Sequence, residues 1–266
     1  MTYAVVFDID GVIRDVGNSY RRALADTVEH YTGQLLSNAW RPSNFEIDEL
    51  KREGLWNNDW EGSRELISRA WEREQGDRTS LALDFEAMIA FFQSRYRGQG
   101  DNPDDWDGYI NDEPLLVAPD YFERLTHGGV QWGFFSGATR GSAHYILTRR
   151  LQLPATILHA MEDGPEKPDP TGLLWVVDQL ETVAGESMQG VIYCGDTSSD
   201  MQALQHAREQ CPDRQWRAVG VVPPHLWEEP KRQAEHAAMM GDRGADIVLK
   251  AVCELTAVRT TELFTA

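Results

Sequence analysis

The sequence predicts an α/β fold: a parallel-sheet core, interrupted after its first strand by an all-helical insert. Short apolar runs recur along the 266 residues. Each is continuous rather than alternating, as expected of strands covered on both faces. Amphipathic stretches lie between the runs, and strands alternating with helices make a parallel sheet. Residues 18–112 break this rhythm with helical patterns and no run that reads as a buried strand.

The expected strands are Ala4 to Phe7, Val130 to Phe135, Ala155 to Leu158, Val191 to Cys194, Ala218 to Val222 and Ile247 to Leu249. Pro119 opens one helix between them and Pro170 another, with Asp169 as N-cap. In the insert, helices are expected over Ser19 to Tyr31, Asn44 to Glu53, Asp59 to Glu74 and Leu81 to Tyr96. The insert closes in the Gly-, Asn- and Asp-rich stretch Gly98 to Asp105, which reads as a linker. The boundaries that follow are a core over 1–16 and 112–266 and a helical domain over 17–111.

Composition narrows the function. Hydrophobic residues are 41% and charged residues 26%, an ordinary globular balance. The formal net charge of −18 disfavours nucleic acid and anionic membranes as partners. A phosphorylated substrate would need local compensation from a cation or a buried Lys. Cys194, Cys211 and Cys253 are scattered and odd in number, so reduced thiols in a cytoplasm are expected. No signal peptide is expected at the N-terminus. No apolar run approaches the ~18 residues of a membrane span. Oligomeric state is not legible.

Four strand ends carry the chemistry. The first is Phe7-Asp8-Ile9-Asp10-Gly11-Val12. Two carboxylates two residues apart point to one side of the carboxyl end of a strand, where open α/β sheets bind ligands. Such close like charges need a shared cation or a proton, and hard oxygen ligands suit magnesium. An exposed acidic turn is the plainer alternative. The second is Ser136-Gly137-Ala138-Thr139, either an anion cradle or simple helix capping. The third is Lys167, between Pro165 and Pro168, either a fixed ammonium or an inert surface lysine. The fourth is Cys194-Gly195-Asp196, with Asp200 four residues on. Both of these carboxylates suit a cation, or Asp200 merely favours a helix N-terminus.

Taken in order, Asp-x-Asp-Gly-Val, Ser-Gly, Lys-Pro and Gly-Asp-x-x-x-Asp resemble the haloacid dehalogenase superfamily. The insert is similar to the helical cap domain of its phosphoglycolate phosphatase-like members. The ending Gly244-Ala245-Asp246-Ile247-Val248-Leu249 resembles their final strand. The resemblance implies a Rossmann-like core and a hydrolase acting on a small phosphate ester through an aspartyl-phosphate, with Mg²⁺ as cofactor. It implies Asp8 as nucleophile, Asp10 as general acid and base, Ser136 on the phosphate and Lys167 as charge neutraliser. It implies Asp8, Asp10, Asp196 and Asp200 around the metal. Gly11, Arg14, Gly137 and Arg140 are expected to bind the substrate. Asp10 favours phosphoryl transfer over dehalogenation, because the dehalogenase branch lacks the second aspartate.

In the cap, Gly54-Leu55-Trp56-Asn57-Asn58-Asp59-Trp60 falls where relatives carry a glycine-rich loop facing the active site. Asn58, Asp59 and Trp60 are candidates for binding a sugar or polyol, and equally for capping a helix and packing. A phosphosugar mutase, a receiver-like signalling module and a non-catalytic homologue are the rival classes.

Overall fold

The computed structural model describes residues 2–56, 58–100, 102–154 and 156–265. In chain order the elements are β1 (Tyr3–Phe7), α1 (Tyr20–Leu35), α2 (Asn44–Arg52), α3 (Asp59–Gln75), α4 (Phe85–Tyr96), α5 (Asp120–His127), β2 (Val130–Phe135) and α6 (Arg140–His144). They continue with β3 (Leu158–His159), α7 (Thr171–Ala184), β4 (Gly190–Gly195), α8 (Ser198–Gln210), β5 (Gln215–Val221), α9 (Pro230–Asp242), β6 (Ile247–Leu249) and α10 (Ala257–Thr265). The chain divides into two units, Met1–Asp15 with Pro114–Ala266, and Val16–Glu113.

In the first unit the six strands form one parallel sheet in the order β3-β2-β1-β4-β5-β6. This is the Rossmann order, which reverses direction between β1 and β4 and leaves a ligand crevice at the carboxyl ends there. β1 pairs with β2 from Tyr3↔Val130 to Phe7↔Phe134, and with β4 up to Phe7↔Cys194. Every residue of β1 is buried, as its unbroken apolar run requires. Leu173, Val176, Val177 and Leu180 of α7 pack with Ala4, Val6, Val191 and Tyr193 in one buried cluster. Elsewhere Tyr121 and Phe122 of α5 meet Phe7 edge-on at 6.0 and 5.8 Å.

The expected strands and the observed ones differ at their ends. β3 is only two residues long, paired with Phe134 and Phe135 of β2 at the sheet edge. Ala155, the start of the run expected there, lies outside the described residues. β5 begins three residues before the expected Ala218, because Trp216 is buried in the core while Arg217 turns aside to donate to Leu263 O at 2.7 Å. The N-cap of α7 is Pro170 rather than Asp169, yet Asp169 Oδ1 still accepts from Thr171 N at 2.9 Å.

The second unit is helical. Ser43 and Glu46 form a reciprocal capping box on α2, and Asp84 caps α4. That cap moves the start of α4 from the expected Leu81 to Phe85. Asn58 caps α3, whose far end closes on Gly76 in the left-handed conformation at φ 82°. Tyr20 stacks on Tyr96 at 3.9 Å with Phe92 beside them, which ties α1 to α4. Asp101, within the expected linker, lies outside the described residues.

Candidate active site

Asp8 directly follows β1, and its N–H donates to Cys194 O at 2.8 Å, continuing the ladder to β4. Its side chain is thereby set at the crevice between the two strands, 5% exposed. Gly11 then turns the chain at φ 77°, a conformation that favours glycine. A β-carbon at Gly11 would fall 2.0 Å from Asp196 Oδ2, so the loop after β1 lies directly against the loop after β4.

Lys167 enters this centre from the loop before α7 and is buried. Its Nζ stands 2.7 Å from Asp200 Oδ1 and 2.9 Å from Asp8 Oδ1. The contact to Asp200 is a hydrogen bond. Asp8 Oδ1 is buried and faces the same ammonium as an ion pair. The rings of Phe135 and Tyr193 lie 5.1 and 5.5 Å from the ammonium and exclude water from it.

Electrostatics follow from this packing. Burial pushes the Asp8 carboxyl up to about 7, opposed by Lys167 and assisted by repulsion from Asp200 and Asp10. Burial acts on Asp200 in the same direction, but Lys167 and the donors of Thr197 outweigh it and hold Asp200 below the usual carboxylate range. Burial works against the Lys167 ammonium, and the two carboxylates overcome it, raising its pKa.

Asp8, Asp196 and Asp200 bring ligand oxygens within 4.8 Å of one another. These are hard carboxylate oxygens, on side chains buried at Asp8 and Asp200 and half-buried at Asp196, so the set fits a magnesium-like cation. Asp200 differs from the other two. Its Oδ1 accepts from Lys167 and from Tyr193 Oη at 2.8 Å, and its Oδ2 from Thr197 N and Oγ1 at 2.9 and 2.6 Å. Four donors fill its lone pairs, which makes it the anchor of Lys167 and of the α8 N-terminus. Gly195 leaves room for this, since a β-carbon there would sit 2.4 Å from Asp200 Cβ.

Ser136 follows β2 and is buried; its N–H donates to His159 O at 3.0 Å and its Oγ accepts from Ala138 N at 3.1 Å. Gly137 is half-buried in the turn between them, and Thr139 caps α6. Arg140 does not join the carboxylate centre. Its guanidinium is paired with Asp163, and its side chain is 53% exposed. Arg14 is buried completely and pairs with Asp10 at 2.6 Å, a partner the sequence did not point to.

In the helical unit, Asn58 Oδ1 accepts from Trp60 N at 2.9 Å and from Glu61 N at 3.4 Å, so the plain capping role is realised. Asp59 pairs with Lys51 at 2.8 Å, and Trp60 is half-buried. Asn57 lies outside the described residues.

Sequence reasoning missed Tyr193, Thr197 and Ser142. The Thr197-Ser198-Ser199-Asp200 spacing is a capping-box signal that was available. Tyr193 and Ser142 had no local signal, because their partners Asp200 and Arg14 are brought to them by the fold.

Comparison with known proteins agrees with the geometry. A family model described as haloacid dehalogenase-like hydrolase matches residues 3–208. A curated relative from Phytophthora nicotianae, named imidazoleglycerol-phosphate dehydratase, is 27% identical over 252 residues. That match covers 92% of this chain and 50% of the relative, so the chain spans about half its length. Among solved structures, a phosphonoacetaldehyde hydrolase-like protein from Oleispira antarctica aligns with a TM-score of 0.65 at 18% identity, covering 98% of this chain and 92% of that one. A phosphatase from Thermococcus thioreducens aligns with a TM-score of 0.59 at 23% identity, covering 82% and 92%. At such identities the likeness shows a shared fold. The family match over most of the chain, on the strand ends just described, makes this protein a member of the haloacid dehalogenase-like hydrolases.

Proposed function

We propose that the chain is a magnesium-dependent phosphatase that hydrolyses a small sugar or polyol phosphate through an aspartyl-phosphate on Asp8. The observation that carries this reading is the buried Asp8 carboxylate, paired with Lys167 Nζ at 2.9 Å and with an oxygen within 4.8 Å of one from Asp196. A nucleophilic carboxylate facing a phosphate must have its negative charge compensated, and that arrangement supplies it.

Asp8 attacks phosphorus, and Asp10 gives its proton to the leaving oxygen. Asp10 then takes a proton from the water that releases phosphate from Asp8. Lys167 holds positive charge beside the reacting carboxylate throughout, and Asp200 keeps that ammonium in place. Ser136 offers its hydroxyl to a phosphate oxygen. Asp8 and Asp196, with the backbone carbonyl of Asp10, would hold Mg²⁺, which supplies charge against the phosphate dianion.

The polyol class has support outside the core. The name of the Phytophthora relative joins a glycerol phosphate to an imidazole. A phosphorylated polyol, with or without such a ring, therefore heads the substrates to try. A mutase of the same family shares the core residues, and dependence on a bisphosphate distinguishes it. The net charge of −18 and the free thiols support a small-molecule substrate and work in a reducing cytoplasm. No helix among the described residues is long and apolar enough to cross a membrane.

The test is phosphate release from a panel of glycerol, sugar, phosphoglycolate and imidazole-bearing polyol phosphates, with Mg²⁺ and with chelator. Release that needs Mg²⁺ and no bisphosphate is expected. No release from any ester, or full release in chelator, overturns the reading.

A further inference from the structure

Arg14 is the largest fully buried side chain among the described residues, with no exposure. A guanidinium cannot lose its charge, so it is tolerated in such a place only with a counter-charge and good hydrogen bonds. Asp10 supplies both. Arg14 Nε and Nη2 each lie 2.6 Å from Asp10 Oδ1. Nη2 also donates to Ser142 Oγ at 3.1 Å, and Ser142 is itself fully buried in α6. The backbone is equally fixed. Arg14 O accepts from Gly11 N at 2.9 Å, and Arg14 N donates to Ile9 O at 3.2 Å. The guanidinium thus ties the loop after β1 to the first turn of α6, close behind Ser136.

A residue so enclosed has no surface left for a substrate phosphate. Both of its contacts to Asp10 fall on one oxygen, while the Asp10 side chain keeps 25% exposure.

We infer that Arg14 is a positioning residue for the general acid and base: it clamps Asp10 by Oδ1, and Ser142 steadies the clamp, so that Oδ2 is the oxygen that carries the proton. This rests on the phosphatase reading above. In the first half-reaction the Asp8 oxygen–phosphorus bond forms, the bond to the leaving oxygen breaks, and the Oδ2 proton passes to that oxygen. In the second, Oδ2 takes a proton from water as the water oxygen bonds to phosphorus and Asp8 leaves.

The test uses the full chain with saturating Mg²⁺, glycerol phosphate as an alkyl ester and p-nitrophenyl phosphate as an aryl ester. An aryl leaving group needs little protonation. General acid–base catalysis is worth about 10²–10⁴ in rate, so loosening the acid in Arg14→Lys should lower kcat on the alkyl ester ~10–100-fold, with less than a ~3-fold loss on the aryl ester and little change in KM. Ser142→Ala should show the same alkyl-selective pattern, weaker. A raised KM with kcat intact would make Arg14 a substrate contact, and an equal loss on both esters would make it merely structural; either overturns the inference. Should Arg14→Lys fail to fold, Ser142→Ala decides on the same criterion.

Melting temperatures give a readout independent of turnover. Asp10→Asn should lower Tm in the wild-type background, where it removes the carboxylate charge 2.6 Å from a buried guanidinium, and not in Arg14→Met. Additive shifts overturn the pairing whatever the substrate. A wild-type chain inert on both esters removes the phosphatase reading and this catalytic role with it, while non-additive melting would still establish the ion pair.

Discussion

Lys167 Nζ donates to Asp200 Oδ1 at 2.7 Å where neither side chain has appreciable access to water. Removing Asp200 leaves Lys167 with Asp8 as its remaining carboxylate partner and strands the donors of Tyr193 and Thr197, a loss of the size typical of a broken buried pair, about 3–5 kcal/mol. Asp200→Ala should therefore lower the free energy of unfolding by about that much, measured by urea denaturation. A loss below ~1 kcal/mol, the range of exposed pairs, would mean the pair is solvated.

The two carboxylates of the fourth strand end should separate by magnesium dependence. Asp196 faces Gly11 and the cation pocket, whereas the lone pairs of Asp200 are already filled. Asp196→Ala should raise the Mg²⁺ concentration for half-maximal activity at least tenfold. Asp200→Asn should lower kcat with that concentration little changed. Magnesium titration of both variants distinguishes a ligand from an anchor, and the reverse order would exchange the roles.

Asp8→Asn removes the attacking oxygen and should abolish turnover, with no phosphorylated chain detectable by mass spectrometry after a rapid acid quench. The fold should survive, because the amide asks less of its buried site than a carboxylate does. Near-normal activity in this variant would exclude Asp8 as nucleophile.

Magnesium binding should depend on pH. Burial raises Asp8 from the ordinary 3.8 to about 7 in the metal-free protein. A cation needs the ionised form, so affinity should rise with pH up to about 7, by as much as ~tenfold per unit, then level off. The sign for stability is opposite. A raised carboxyl favours the metal-free fold below the unfolded value of about 3.8, and that contribution is lost as pH rises through about 7. Calorimetry in buffers of different ionisation enthalpy would show the released proton. Affinity flat between pH 5 and 8 would contradict the shift.

In the helical unit, Asn58→Ala removes a cap that serves two N–H groups of α3. A loss of about 1 kcal/mol in stability is expected, and equal effects on every substrate. A rise in KM for one substrate alone, at unchanged stability, would move Asn58 into specificity.

By itself the sequence determined whatever is encoded locally. The apolar run of β1 and the Asp8-Ile9-Asp10-Gly11 step after it are legible because strand period and glycine freedom act over a few residues. β2 and β6 were readable to the residue for the same reason, and the α3 cap was one of two open readings of Asn58. The tertiary structure decided which charges meet. Lys167 finds Asp200 across 33 residues, and Arg14 finds Ser142 across 128. Arg140 turns to Asp163 rather than to the carboxylates, and β3 shrinks to the two residues its edge position lets it pair. No local pattern records such encounters, because a buried charge is tolerated only where the folded chain delivers its partner.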